Sequence, residues 1–179
     1  MVIYVEKFEF LAEIIKNRRT IRYFLDKEVP KDMLIKILDI TRLIPTGSNL
    51  QDLRFIIVNN RRLLRLIKMF SPGWIGDGNP IAIIICSDLK WALEKGGSYA
   101  AEKMYLIHAG IAFQTVALLA YSLGLGTNPI MSFSRDAVKA ILKLPENLEP
   151  VMIVLVGYPK IVPEPTPRLP LEKIMVWVD

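Results

Sequence analysis

Three short runs of unbroken apolar residues, at 55–58, 81–86 and 151–156, limit the fold more than any other feature of this chain. A strand with one wet face alternates polar and apolar residues, whereas a run that is apolar at every position reads as a strand buried on both faces. A central sheet covered by helices is therefore expected, and the helical patterns supply the cover. Residues 6–16 set Phe8, Leu11 and Ile15 along one stripe, with Phe10 and Ile14 beside it. Pro30 opens a second helix that runs to Arg42 and turns Leu34, Ile37, Leu38 and Thr41 inward. Asn60 stands where it can cap the helix after the first strand. A long helix is expected from about Ser98 to Leu123, stopped by Gly124 as a C-terminal cap. Ser134 begins a last helix, which Pro145 ends. The fold class is α+β: an α/β sandwich with one central mixed sheet flanked by helices.

The mean hydropathy of +0.33 is high and raises the question of a membrane span. Residues 109–126 are the best candidate, but Gln114, Thr115 and Ser122 interrupt them. A span needs roughly 20 predominantly apolar residues, so a buried core helix is the better reading. The same apolarity suggests surface covered by a partner chain. With 179 residues, one domain of ordinary size is expected. We divide it into residues 1–162 and an extended C-terminal arm at 163–179. Glu6, Lys7 and Glu9 follow the first apolar residues at once, against a secretory signal, and a cytoplasmic protein is expected.

A single cysteine, Cys86, excludes a disulfide framework and a cysteine-built zinc site, and a single histidine, His108, argues against a histidine-rich one. The net charge of +5 is unevenly spread, because residues 1–68 hold 14 Lys/Arg against 8 Asp/Glu. Arg61, Arg62, Arg65 and Lys68 fall on a helical pattern and read as a solvated face. No nucleic-acid-binding motif accompanies these charges, so no nucleic-acid partner is expected.

Three other segments carry chemistry. In Arg18-Arg19-Thr20-Ile21-Arg22, three guanidinium groups and a hydroxyl can hold a phosphate dianion. The alternative is a set of helix C-terminal cations complementing the dipole. No phosphate-binding glycine loop occurs, so any phosphate is held by arginines. In Pro45-Thr46-Gly47-Ser48-Asn49-Leu50-Gln51, hydroxyls and amides surround a glycine and match the donor and acceptor edge of a flavin or a nucleobase, unless they only satisfy a local turn. Gly124 to Met131 leaves the long helix, turns on two glycines and runs extended, with backbone N–H groups free to meet a ring.

The C-terminal arm is unusual. Pro159, Pro163, Pro165, Pro167 and Pro170 make it stiff and extended, and residues 174–178 then become strand-like with two apolar faces. It is either an edge strand of its own sheet or an arm that joins a partner's sheet.

In this order the segments resemble the nitroreductase family of flavin enzymes, across about residues 8–177. Arg18-Arg19-Thr20-Ile21-Arg22 is similar to the family's opening arginine motif, and Pro45 to Phe55 to its polar loop and strand. Leu123-Gly124-Leu125-Gly126-Thr127 resembles the end of its central helix, Pro129-Ile130-Met131-Ser132-Phe133 the stretch along the flavin ring, and Arg168-Leu169-Pro170-Leu171 its C-terminal arginine motif. The resemblance implies a homodimer, with the C-terminal strand exchanged, that binds two FMN molecules at its interface. Arg18, Thr20, Arg22 and Arg168 would hold the phosphate and ribityl end, with Arg19 nearby. Pro45, Thr46, Ser48, Asn49 and Gln51 would come from the other subunit, and Pro129, Ile130, Met131 and Ser132 would face the ring. Trp74 is expected exposed in its loop and is a candidate for the acceptor pocket. The implied activity is reduction of nitroaromatic, quinone or related acceptors by NADH or NADPH in a ping-pong cycle. The alternatives are an enone reductase, a dehalogenase or a flavin-fragmenting enzyme of the same fold, or a non-catalytic flavin-binding module. No catalytic side chain and no metal are expected, because the flavin carries the chemistry. The chain departs from the family pattern at Asp52-Leu53, where Pro-Trp is usual, at His108, where an acid is common, at Thr115, where an Asn is common, and at Met131, which is Glu in some relatives.

Overall fold

The computed structural model describes residues 2–178, with side chains from Tyr4 onward. Four strands pair in the order β1-β2-β4-β3: β1 (Leu53–Val58), β2 (Ile81–Asp88), β3 (Gly126–Ile130) and β4 (Leu148–Gly157). The two inner strands are the most apolar runs of the sequence, and both are buried along nearly their whole length. Alternation sorts their side chains to two faces. Ile81, Ile83, Ile85, Val154 and Val156 pack with Leu34 and Ile37 of α2 (Lys31–Thr41) and with Ala109, Ala112, Val116 and Ala120 of α5 (Tyr105–Ser122). Ala82, Ile84, Cys86, Ile153 and Leu155 pack with Leu64 and Ile67 of α3 (Arg61–Met69) and with Val138 of α6 (Arg135–Leu142). Each fully buried isoleucine contributes about 1.5–3 kcal/mol, so these inner strands anchor the fold.

All pairings between the named strands are antiparallel. The parallel character expected of a mixed sheet enters through isolated bridges, where Thr20 meets Thr127 on the outer edge of β3 and Tyr23 meets Asp77. Among the described residues no strand pairs with the outer edge of β1. Asn60 and Ser134 cap α3 and α6 as expected: the Asn60 side chain accepts from Arg62 and Leu63, and the Ser134 hydroxyl from Ala137.

The long helix begins where expected, because Gly97 at φ +74° breaks it from a preceding helix that was not foreseen. α4 (Leu89–Tyr99), capped by Asp88, leads through a π-type turn at Ala100–Met104 into α5. The stretch Leu89–Ser122 is long and apolar enough to cross a membrane, yet its α5 residues His108, Ala109, Ala112, Val116, Ala117 and Ala120 are buried in the molecule. β3 was foreseen only as extended chain. α1 (Val2–Asn17) differs more: Phe8 and Phe10 are 68% and 66% exposed, so its apolar stripe is not covered by its own chain. The arm likewise forms no strand at 174–178 within one chain, and Ile174, Val176 and Val178 are exposed, because no sheet edge of its own receives them.

Candidate flavin site

Residues 18–24 leave α1 and are clamped on both sides. On one side Ile21 N–H donates to Thr127 O at 2.9 Å, and Gly126 lets Ile21 close, since a Cβ there would lie 2.3 Å from its Cγ1. On the other, Asp77 N–H donates to Arg22 O at 3.1 Å and Phe24 N–H to Asp77 O at 2.9 Å. Gly76 and Gly78 take φ of +101° and +107° there, which only glycine adopts easily. A Cβ on Gly76 would sit 2.0 Å from the Arg22 carbonyl oxygen.

The clamp gathers the expected cations. Arg18, Arg19, Thr20 and Arg22 line one groove of about 580 Å³ together with Arg168, brought from the arm by Pro163 to Thr166. No salt bridge reaches any of these four arginines among the described residues. Arg19 and Arg168 curl onto carbonyls near themselves in sequence, Lys16 and Thr166 among them. Arg18 Nη1 is buried with no hydrogen-bond partner. Burial, with Arg19 and Arg168 nearby, pushes the Arg18 guanidinium below its ordinary range. An orphaned guanidinium among like charges calls for a dianion, which would supply charge-assisted bonds and relieve the repulsion. The phosphate of FMN fits that demand.

Beside this groove, Thr127 and Asn128 are buried on β3, and Thr127 Oγ1 and Asn128 Nδ2 lack partners. Sequence reasoning passed over both, although two polar side chains inside an otherwise core segment were a signal. Pro129 is half-buried, and the Ile130 side chain belongs to the core. Met131 and Ser132 are exposed, with Ser132 O accepting Gly73 N–H at 3.0 Å. Trp74 is half-buried against the α3–α6 core rather than exposed, because its loop folds back over α3. It lines a separate groove of about 420 Å³ with Arg61, Arg65 and Lys68, so the structure does not bring it to Arg18, Arg19, Arg22 or Arg168.

The polar loop also stands apart from the arginine groove within one chain. Pro45, Ser48, Asn49 and Gln51 are exposed, and Thr46 and Gln51 line a small pocket with Ile44 and Phe55. Gly47–Asn49 forms a 3₁₀ turn in which Ser48 and Asn49 have φ of +51° and +54°, and Gln51 follows at +50°. Such backbone is uncommon for side-chain-bearing residues and gathers at functional sites. The turn is held from below: Gly47 N–H donates to His108 Nε2 at 2.9 Å, and Trp91 Nε1–H donates to Leu50 O at 2.6 Å.

A four-stranded antiparallel sheet between helical layers, with an arginine groove at the start of the chain and a strained polar loop, defines a compact α+β fold fitted to hold a phosphate-bearing cofactor. The nitroreductase family model matches residues 15–76 and 74–158, and the chain belongs to that family. A protein of Methanothermobacter thermautotrophicus, whose name couples NADH dehydrogenase with NAD(P)H nitroreductase, is 34% identical over 160 residues, covering 87% of this chain and 80% of the relative. A Bacillus subtilis protein named FMN reductase [NAD(P)H] is 30% identical over 182 residues, covering 92% and 73%. The crystal structure of an Exiguobacterium sibiricum nitroreductase in complex with FMN is similar in fold, with a TM-score of 0.82 at 22% identity over 94% of this chain and 97% of that one.

Proposed function

We propose that the protein is an FMN-dependent oxidoreductase that uses NADH or NADPH to reduce nitroaromatic, quinone or related electrophilic acceptors, and that it works as a cytoplasmic homodimer. The observation that carries the reading is the buried, partnerless Nη1 of the half-buried Arg18 in a groove of four arginines. Family membership and relatives named for FMN and NAD(P)H support it.

Arg18, Arg22 and Arg168 hold the cofactor's phosphate, with Thr20 toward the ribityl chain and Arg19 nearby. Thr46, Ser48, Asn49 and Gln51 reach the flavin of the partner subunit, since within one chain they stand apart from the arginine groove. The backbone of Pro129 to Ser132 lies along the ring. When bound, the flavin supplies hydride transfer, accepting from the nicotinamide and giving to the acceptor, which asks no acid or nucleophile of the protein. The exposed apolar stripe of α1 and the exposed arm are the surfaces a second copy covers.

The test is an absorption spectrum of the purified protein, then anaerobic titration with each nicotinamide. A stoichiometric flavin that is released as FMN and bleached by NADH or NADPH is the expected result. Steady-state turnover with a quinone should give parallel double-reciprocal lines, because donor and acceptor take turns over one ring. A protein that does not bind FMN, or binds it and is not reduced, refutes the oxidoreductase.

A further inference from the structure

The chain's one histidine is buried, and both of its ring nitrogens are engaged. His108 Nε2 accepts the Gly47 N–H at 2.9 Å, and Nδ1 stands 2.6 Å from Asp52 Oδ1. Asp52 Oδ2 accepts the Ser87 hydroxyl at 2.7 Å, and the Asp52 carbonyl accepts Asp88 N–H at 2.8 Å. The His108 and Asp52 side chains are 4% and 1% exposed. A ring nitrogen that accepts carries no proton, so in the neutral imidazole Nδ1–H is the donor to Asp52. The carboxylate thus selects the tautomer, and the tautomer supplies the acceptor that holds Gly47.

Gly47 opens the turn in which Ser48, Asn49 and Gln51 all take left-handed backbone. Three such residues within four positions persist only where the surroundings over-determine them. Gly47 is itself seated hard on the helix below, since a Cβ there would lie 1.7 Å from Met104 Cε and 3.7 Å from His108 Nε2. Met104 ends the π-type turn that leads into α5, so the irregular helix and the irregular loop meet at this point. Asp52 lies just ahead of β1 and His108 lies in α5. Their contact spans 56 positions of sequence, and it joins the loop to the helix.

We propose that Asp52 and His108 are positioning residues: a buried Asp52–His108–Gly47 chain of hydrogen bonds holds residues 46–49 in the strained turn that presents Thr46, Ser48 and Asn49 to the partner subunit's flavin. The proposal rests on the flavoenzyme reading above for the loop's role. His108 touches neither cofactor nor substrate and moves no proton. It acts through the Gly47 peptide.

The single histidine makes a direct test possible. Protein labelled with [15N]histidine gives one imidazole pair in the nitrogen spectrum, expected as protonated Nδ1 and unprotonated Nε2. An Nε2-protonated or tautomer-averaged ring in the wild type overturns the proposal. FMN affinity is then measured by fluorescence titration of the full-length wild type, His108→Leu, His108→Gln and Asp52→Asn. His108→Leu should weaken FMN about tenfold, or about 1.4 kcal/mol. His108→Gln, whose carboxamide oxygen can still accept the Gly47 N–H, should recover most of that loss. A folded His108→Leu protein that binds FMN as the wild type does, or a Gln variant no better than Leu, overturns the proposal. If the Leu variant does not fold, the isosteric Asp52→Asn carries the test: severalfold weaker FMN with a shifted tautomer supports the chain of bonds, and unchanged affinity overturns it. A wild type that binds no FMN ends the flavoenzyme reading and this role together, whereas a wild type that binds it beside indifferent variants ends this role alone.

Discussion

Arg18 is the residue at which binding and folding come apart. Its buried Nη1 has no partner and its neighbours are cations, so it costs the empty protein stability and contributes only when an anion arrives. Arg18→Ala should therefore weaken FMN by roughly 1.5–3 kcal/mol, about ten- to a hundredfold, while leaving the melting temperature of the flavin-free protein unchanged or raised. Equilibrium dialysis and thermal melts of both forms check it; undiminished FMN retention would mean that the phosphate lies elsewhere. Cys86 shows the opposite logic. Burial, reinforced by Glu149 and opposed by Lys139, pushes its thiol up to about 12, and it sits in the core beneath α3 and α6. It should be inert to thiol reagents in the native state and react at the rate of unfolding, a contrast that a thiol titration with and without denaturant reads directly.

At the scale of elements, the clamp around residues 18–24 depends on Gly76. An alanine there meets both a φ of +101° and the Arg22 carbonyl, whereas Gly97 at φ +74° has open space around it. Gly76→Ala should lose roughly 1–3 kcal/mol for the backbone conformation alone, and should loosen FMN at the same time. Gly97→Ala should lose less and leave FMN untouched; melting curves paired with flavin titration separate them, and equal effects would show that the clamp does not set the groove. What could be read from the sequence follows the same physics. β1, β2 and β4 were legible because strands buried on both faces are apolar at every position. β3 was not legible as a strand, since Gly126, Asn128 and Pro129 disfavour strands and pair only because β4 offers an edge. α4 had a readable signal that went unused, Asp88 ahead of a helical pattern. The arginines of the groove were recognised as a cluster, but not the orphaned Nη1, which depends on packing. The Asp52–His108 pair was visible only as two unexplained departures, because local patterns do not report contacts 56 residues apart.

At the scale of the whole molecule, the proposed dimer makes the arm a link between cofactor and assembly. Residues 163–179 bring Arg168 to the groove and carry exposed Leu169, Leu171, Ile174 and Val176. Deleting them should lower flavin content and dimer content together, as obligate interfaces commonly bury more than ~2,000 Å² and their loss removes folded protomers by mass action. Light scattering and flavin absorbance on the truncated and full chains check it; a truncated monomer with stoichiometric FMN would show the two to be independent. The unpaired outer edge of β1 adds a consequence for the chain's early life. Outside the proposed dimer, a newly made copy carries a bare strand edge and an exposed apolar end, the two ingredients of runaway strand addition. Pro159, Pro163, Pro165, Pro167 and Pro170 have no N–H to give, so most of the arm cannot serve as a template. Only its last few residues can pair, which narrows misassembly to one short segment and lets correct pairing win a race that a proline-free arm would lose as expression rises.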